Sequence, residues 1–143
     1  MVSETDTARP ALDERGEMQI ELDGVAAVLR PSYEAIAAFE ADTGKSLIEL
    51  SRNALAGTMT TADAAHVVCQ CVRAWGRETG DKGWSGANAP RIGHLIMEGP
   101  GLFATLVTLG GLLSMAATGG YTAQGKAKAA TTSPQTDGQA AAG

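Results

Sequence analysis

Before residue 126 the chain has no cluster of lysine and arginine, and its 11 basic residues are outnumbered by 16 acidic ones, for a net charge of −5. Proteins that bind nucleic acid by neutralising phosphates need the opposite balance, so nucleic acid is not an expected partner. Aromatic residues are also scarce, at 4% of the chain against 44% hydrophobic residues in all. Alanine, glycine and aliphatic side chains must then fill the interior, which predicts a small, helix-rich core that is only marginally stable without a partner. Cysteine is limited to Cys69 and Cys71. Side chains two positions apart on a helix point about 200° away from each other, so these two cannot form an unstrained disulfide together. Met1 to Arg15 is polar and acidic with no apolar signal segment, and a reduced, cytoplasmic protein is expected.

Catalytic signatures are missing as well. Gly83-Trp84-Ser85-Gly86 lacks the spacing of a nucleophile elbow and an evident histidine base. Gly99-Pro100-Gly101 cannot cradle a phosphate, because proline removes one of the amide donors such a loop uses. His66, Cys69 and Cys71 raise a metal hypothesis, but Cys71 falls on the apolar side of its helix, and His94 is the one further candidate. No enzyme, no cofactor and no metal site is expected. The stretch from Gly99 to Tyr121 carries no charge, yet its glycines and hydroxyl residues and the lack of flanking anchors other than Tyr121 and Lys126 argue for a buried or partner-facing helix, not a membrane span.

What is present reads in order from residue 17. Glu17 to Leu22 and Val25 to Arg30 alternate in polarity around Asp23-Gly24, a pair suited to the positive φ angles of a tight hairpin turn. Pro31 stops the second strand, Ser32 caps a helix near 33–43, and Gly44 ends it. Ser46 and Glu49 form a capping box for a second helix near 47–56, closed by Gly57. A third helix opens at Thr60-Thr61-Ala62-Asp63. It places Ala64, Val68, Cys71, Val72 and Trp75 on one face and His66, Gln70, Arg73 and Arg77 on the other. Thr79 to Ala89 reads as a glycine-rich loop, Pro90 to Met97 as a fourth helix, and Gly101 to Ala117 as a fifth with a stripe of Leu102, Leu106, Leu109 and Leu113.

The ends differ from this middle. Residues 1–16 show no periodicity and read as a mobile arm. Residues 119–143 contain no Val, Ile, Leu, Met, Phe or Trp and read as a disordered tail. The expected architecture is therefore α+β: an N-terminal two-stranded hairpin followed by a bundle of about five helices over 17–118, with disordered termini. Glu40 is an acid on the apolar side of the first helix, and an ion pair with Arg30 at the end of the hairpin is expected to hold it.

The string GEMQIELDGVAAVLRPSYEAIAAFEADTGKSLIELSRNAL, residues 16–55, resembles a phage tail protein family of gene transfer agents and siphophages whose members are tail assembly chaperones. Some descriptions of the family name it a tail tube protein. The resemblance implies a non-enzymatic protein that binds the tape measure protein and helps to recruit tail tube subunits in the bacterial cytoplasm, with homo-oligomers possible. The rival readings are a structural tail tube component, and a small helical adaptor or regulator unrelated to phage. A tube subunit needs strands that pair between neighbours, and a single hairpin favours the chaperone. Leu102, Phe103, Leu106 and Met115 on the uncharged last helix are the expected partner-binding residues.

Overall fold

A computed structural model describes residues 17–128. It opens with strands β1 (Met18–Leu22) and β2 (Val25–Leu29), paired antiparallel with Met18 opposite Leu29, Ile20 opposite Ala27 and Leu22 opposite Val25. Asp23 and Gly24 both take positive φ, 56° and 74°, the signature of the tight turn that an Asp-Gly pair favours. The hairpin lays Met18, Ile20, Leu22, Ala27 and Leu29 against the helices and leaves Glu21 and Ala26 in solvent.

Six helices follow: α1 (Tyr33–Thr43), α2 (Leu47–Ala56), α3 (Thr61–Thr79), α4 (Lys82–Ser85), α5 (Ala89–Glu98) and α6 (Gly101–Ala117). Their starts are set by side-chain caps. Ser32 Oγ accepts from the Ala35 amide at 3.1 Å, Ser46 Oγ from Glu49 at 3.0 Å, Thr60 Oγ1 from Asp63 at 3.1 Å and Asn88 Oδ1 from Arg91 at 2.9 Å. α4 lies inside the segment expected to be a loop. Asp81 caps this single turn by accepting from the Trp84 amide, and it folds back onto α3.

α3 is the central element, in contact with β2, α1, α4, α5 and α6. Its Ala64, Val67, Val68, Cys71 and Val72 meet Phe39 of α1, Leu50 of α2, Ile92 and Ile96 of α5, and Leu109, Leu112 and Leu113 of α6 in one continuous core. Among the described residues no single helix is long and apolar enough to cross a membrane, and α5 and α6 are bent by 115° at Gly99-Pro100.

The folded part does not stop at 118. Residues 119–128 form a turned strap in which Thr122 N donates to Lys126 O and Lys128 N to Gly120 O, with Tyr121 and Ala127 bridged. The strap is tied to the start of α1 by a 2.8 Å bond from Tyr33 N to Ala123 O. The expected boundary thus moves to 128. A reading based on aliphatic content misses backbone hydrogen bonds, which need none. The arm at 1–16 and the tail at 129–143 lie outside the described residues.

Candidate partner-binding surface

The expected pair of Arg30 and Glu40 does not form. Arg30 is buried, and its guanidinium donates to Glu17 Oε2 and Glu78 Oε1, each at 2.5 Å, while lying 4.9 Å from the centre of the Trp75 ring. Its own amide bonds Cys71 O at 3.2 Å, fixing the end of β2 to α3. Glu40 turns to the next helix and accepts from the Leu47 amide at 2.8 Å, serving as an extra cap for α2. The projection placed Glu40 correctly at the end of α1, but it could not show that α2 begins within reach or that α3 brings Glu78 to Arg30.

Arg30 thereby joins three distant parts of the chain. Glu17 enters at the hairpin, Glu78 comes from the last turn of α3, and Lys126 of the strap reaches Glu78 at 3.4 Å. Burial pushes the Glu78 carboxyl up, but Arg30 and Lys126 outweigh it and hold the group below its ordinary value. Gly125 wedges in beside this cluster. With φ at +85°, a Cβ there would sit 2.6 Å from Ser32 N and 3.0 Å from Arg30 Cδ, so no larger residue fits. Tyr121 is the strap's one aromatic side chain, and burial raises its hydroxyl to about pKa 12. Cys69 and Cys71 are buried in the core, where loss of solvent pushes both thiols up and away from reactivity. His66 sits at the surface, 3.5 Å from Asp42.

The four expected contact residues of α6 divide. Phe103 is 77% exposed and stands free for a partner, whereas Leu106 is 3% exposed and belongs to the core. Leu102 and Met115 are half-buried and pack on that core. The correction follows from the helix wheel. Leu102, Leu106, Leu109 and Leu113 form one stripe, which is the side turned into the core, and the surface belongs to the residues beside it.

Those neighbours are Phe103 and Val107, the latter 65% exposed. They continue a ridge whose upper part is occupied. At Gly110 the side chain of Leu55 fills the space that a Cβ would take, its Cδ2 lying 3.0 Å from that position, and Ser114 Oγ is 3.2 Å from Ser51 Oγ. α2 therefore lies antiparallel on the upper part of α6 and stops at Gly57, leaving the lower part of the same ridge bare. Leu55, at the joint, is 67% exposed, and Ile48, near the start of α2, is 48% exposed. Ile48 and Leu55 of α2 with Phe103 and Val107 of α6 are the exposed large apolar residues of this packed helix pair, and they make up the α2–α6 stripe, with the exposed Arg52 between Ile48 and Leu55 in the chain. Single exposed apolar residues are ordinary, and four of them on one pair of packed helices single this pair out as the candidate interaction surface.

The family described as phage tail tube protein, GTA-gp10, matches residues 15–119. The chain belongs to this family. The match covers the hairpin and all six helices and ends at the start of the strap. No curated protein and no solved structure matches the chain. Membership in this tail tube family makes it a phage or gene transfer agent tail protein, and sets aside an adaptor unrelated to phage. Tail proteins work by contact with other proteins, and the exposed stripe on α2 and α6 is the best candidate for such contact that the described residues offer.

Proposed function

We propose that the protein is a non-enzymatic structural component of the tail tube of a phage or gene transfer agent, assembled in the host cytoplasm through contacts at the α2–α6 stripe. The match of residues 15–119 to the tail tube family carries this reading. The stripe supports it with an apolar surface that the fold leaves bare. The hairpin offers a second means of contact, because a two-stranded sheet has two edges at which a neighbour's strand can add.

One observation favours a second reading. Among the described residues the only sheet has two strands, little material for a ring of β-structure. A helical surface with bare apolar residues equally suits a tail assembly chaperone that binds the tape measure protein and recruits tube subunits before being released. The two readings differ in where the protein ends up. Quantitative mass spectrometry of purified particles should find a tube component in many copies per tail, whereas a chaperone is present in the producing cell and absent from the particle. Absence from the particle, with tails still formed, rejects the structural reading in favour of the chaperone.

A further inference from the structure

The strap is built as a body of its own. Within it Thr122 N donates to Lys126 O, Gly125 N to Thr122 O and Lys128 N to Gly120 O, at 2.8, 2.8 and 2.9 Å. Beyond the turn that ends α6, one backbone bond among the described residues, from Tyr33 N to Ala123 O, ties it to the rest of the fold. Gly119, at φ +85°, begins the strap, and the match to the tail tube family stops at the same residue. A turned segment that holds its own bonds can lift from its seat about such a glycine without losing its shape.

The seat is wider than the strap. Ala123 and Gln124 border a cavity of about 420 Å³ that they share with Tyr33 of α1 and Arg77 and Glu78 of α3. Lys126 and Ala127 border another, of about 330 Å³, shared with Arg30, Trp75 and the same Glu78. Gly125 is pressed into the floor between the two. The strap thus crosses one trough between the start of α1 and the end of α3 and fills only its middle.

The fit is incomplete in its chemistry as well. Tyr121 packs on the core, but its hydroxyl is buried with no hydrogen-bond partner among the described residues. Arg30 Nε is also buried without a partner, and Gly125, which lies against the adjacent Cδ, has no side chain to offer it. Buried polar groups left unbonded oppose closure. The pair of Lys126 and Glu78, at 3.4 Å, lies at the surface, where an ion pair contributes little. A resident held in this way can be displaced.

We propose that the trough is a docking site for a segment of a partner tail protein, and that the strap is its built-in competitor, an autoinhibitory contact. What the strap leaves behind sets the chemistry of that segment. Lifting it removes Lys126 and leaves Glu17 and Glu78 against the single cation Arg30, an excess of one negative charge. The entering segment therefore carries a lysine or arginine at this point. At the Tyr121 seat, five positions earlier in the strap, it carries a large side chain without a polar tip, such as phenylalanine. Such a contact serves a tube component and an assembly chaperone alike.

Two measurements on the full chain test this. Tyr121→Phe removes the unbonded hydroxyl and should tighten closure, slowing hydrogen exchange at the Tyr33 amide about tenfold. Unchanged or faster exchange there overturns the autoinhibitory contact. For docking, Tyr121→Ser combined with Gly125→Val keeps the strap out of its seat. The probe is a labelled peptide of residues 119–128 carrying Tyr121→Phe, followed by fluorescence anisotropy. It should bind this double variant about tenfold or more tightly than the wild-type chain, whose own strap competes for the trough. Adding Lys126→Glu to the peptide should abolish that binding. No binding to the double variant, equal binding to both proteins, indifference to the peptide's lysine, or loss of helical circular dichroism when the strap is out overturns the proposal.

Discussion

α3 and α6 are the two longest helices and close in length, at 19 and 17 residues, yet they solve the problem of burial differently. α3 has a polar side, and β2, α1, α4, α5 and α6 cover the rest of it. Its C-terminal half is further fixed by the charge cluster at Arg30 and Glu78. α6 has no charged residue, and α2 covers its outer ridge only as far as Leu55. An amphipathic helix can be satisfied by a small domain. A helix without charge has more apolar surface than so few neighbours can cover, and what remains is available for assembly.

The strongest test of the α3 side is Arg30→Met. It leaves Glu17 and Glu78 without their buried cation and removes the contact over Trp75, and breaking a buried pair in this way costs about 3–5 kcal/mol. Urea denaturation should report it as a lower midpoint with an unchanged slope. On the covered side of α6, Leu109→Ala opens a cavity at a fully buried position and should cost about 2–5 kcal/mol in the same assay. If that variant were neutral, α6 would be loosely attached and the contrast with α3 would be one of order, not of coverage.

Smaller effects sharpen the comparison. Gly125→Ala forces a Cβ into the Pro31–Ser32 backbone at a positive φ and should cost about 1–3 kcal/mol. Limited trypsin digestion should then cut faster at Lys126 and Lys128. Acid should act on the same place. The Glu78 carboxyl is held below its ordinary value of 4.5, so its contribution is complete above that value and is lost as pH falls below it. Trypsin-independent probes such as hydrogen exchange at Thr122 and Lys128 should show the strap loosening in that range while the α2–α6 pair stays protected. The least effect is expected from Phe103→Ala on the bare ridge, within about 0.5 kcal/mol in the monomer. A large loss there would mean that the ridge is part of the core after all.

Much of the fold was legible because it is written in local chemistry. Asp23-Gly24, Ser32, Ser46 with Glu49, and Thr60 each act on backbone groups within a few positions, so the hairpin and the first three helices could be placed from sequence. The stripe on α6 was legible only as an absence of charge. Which of its residues are bare depends on where α2 ends, and this decides between Phe103 and Leu106. The partners of Arg30 were out of reach, because Glu17 and Glu78 are 13 and 48 positions away and nothing near Arg30 marks them. The strap was hidden for a related reason. Its attachment depends on a glycine that fits where nothing else can, a tyrosine and backbone bonds, none of which stands out in a segment poor in aliphatic residues.

The charge cluster at Arg30 has one more consequence, for how the chain is threaded. Glu17 begins the described fold, Lys126 is near its end, and both reach Arg30 directly or through Glu78. Entry and exit are therefore next to each other, and the polypeptide between them forms a nearly closed loop. Such a fold tolerates circular permutation. Joining residue 128 to residue 17 with a short linker and opening the chain at the exposed Gly57-Thr58 turn should preserve the core, while turning the free end of α2 beside Leu55 into a chain terminus.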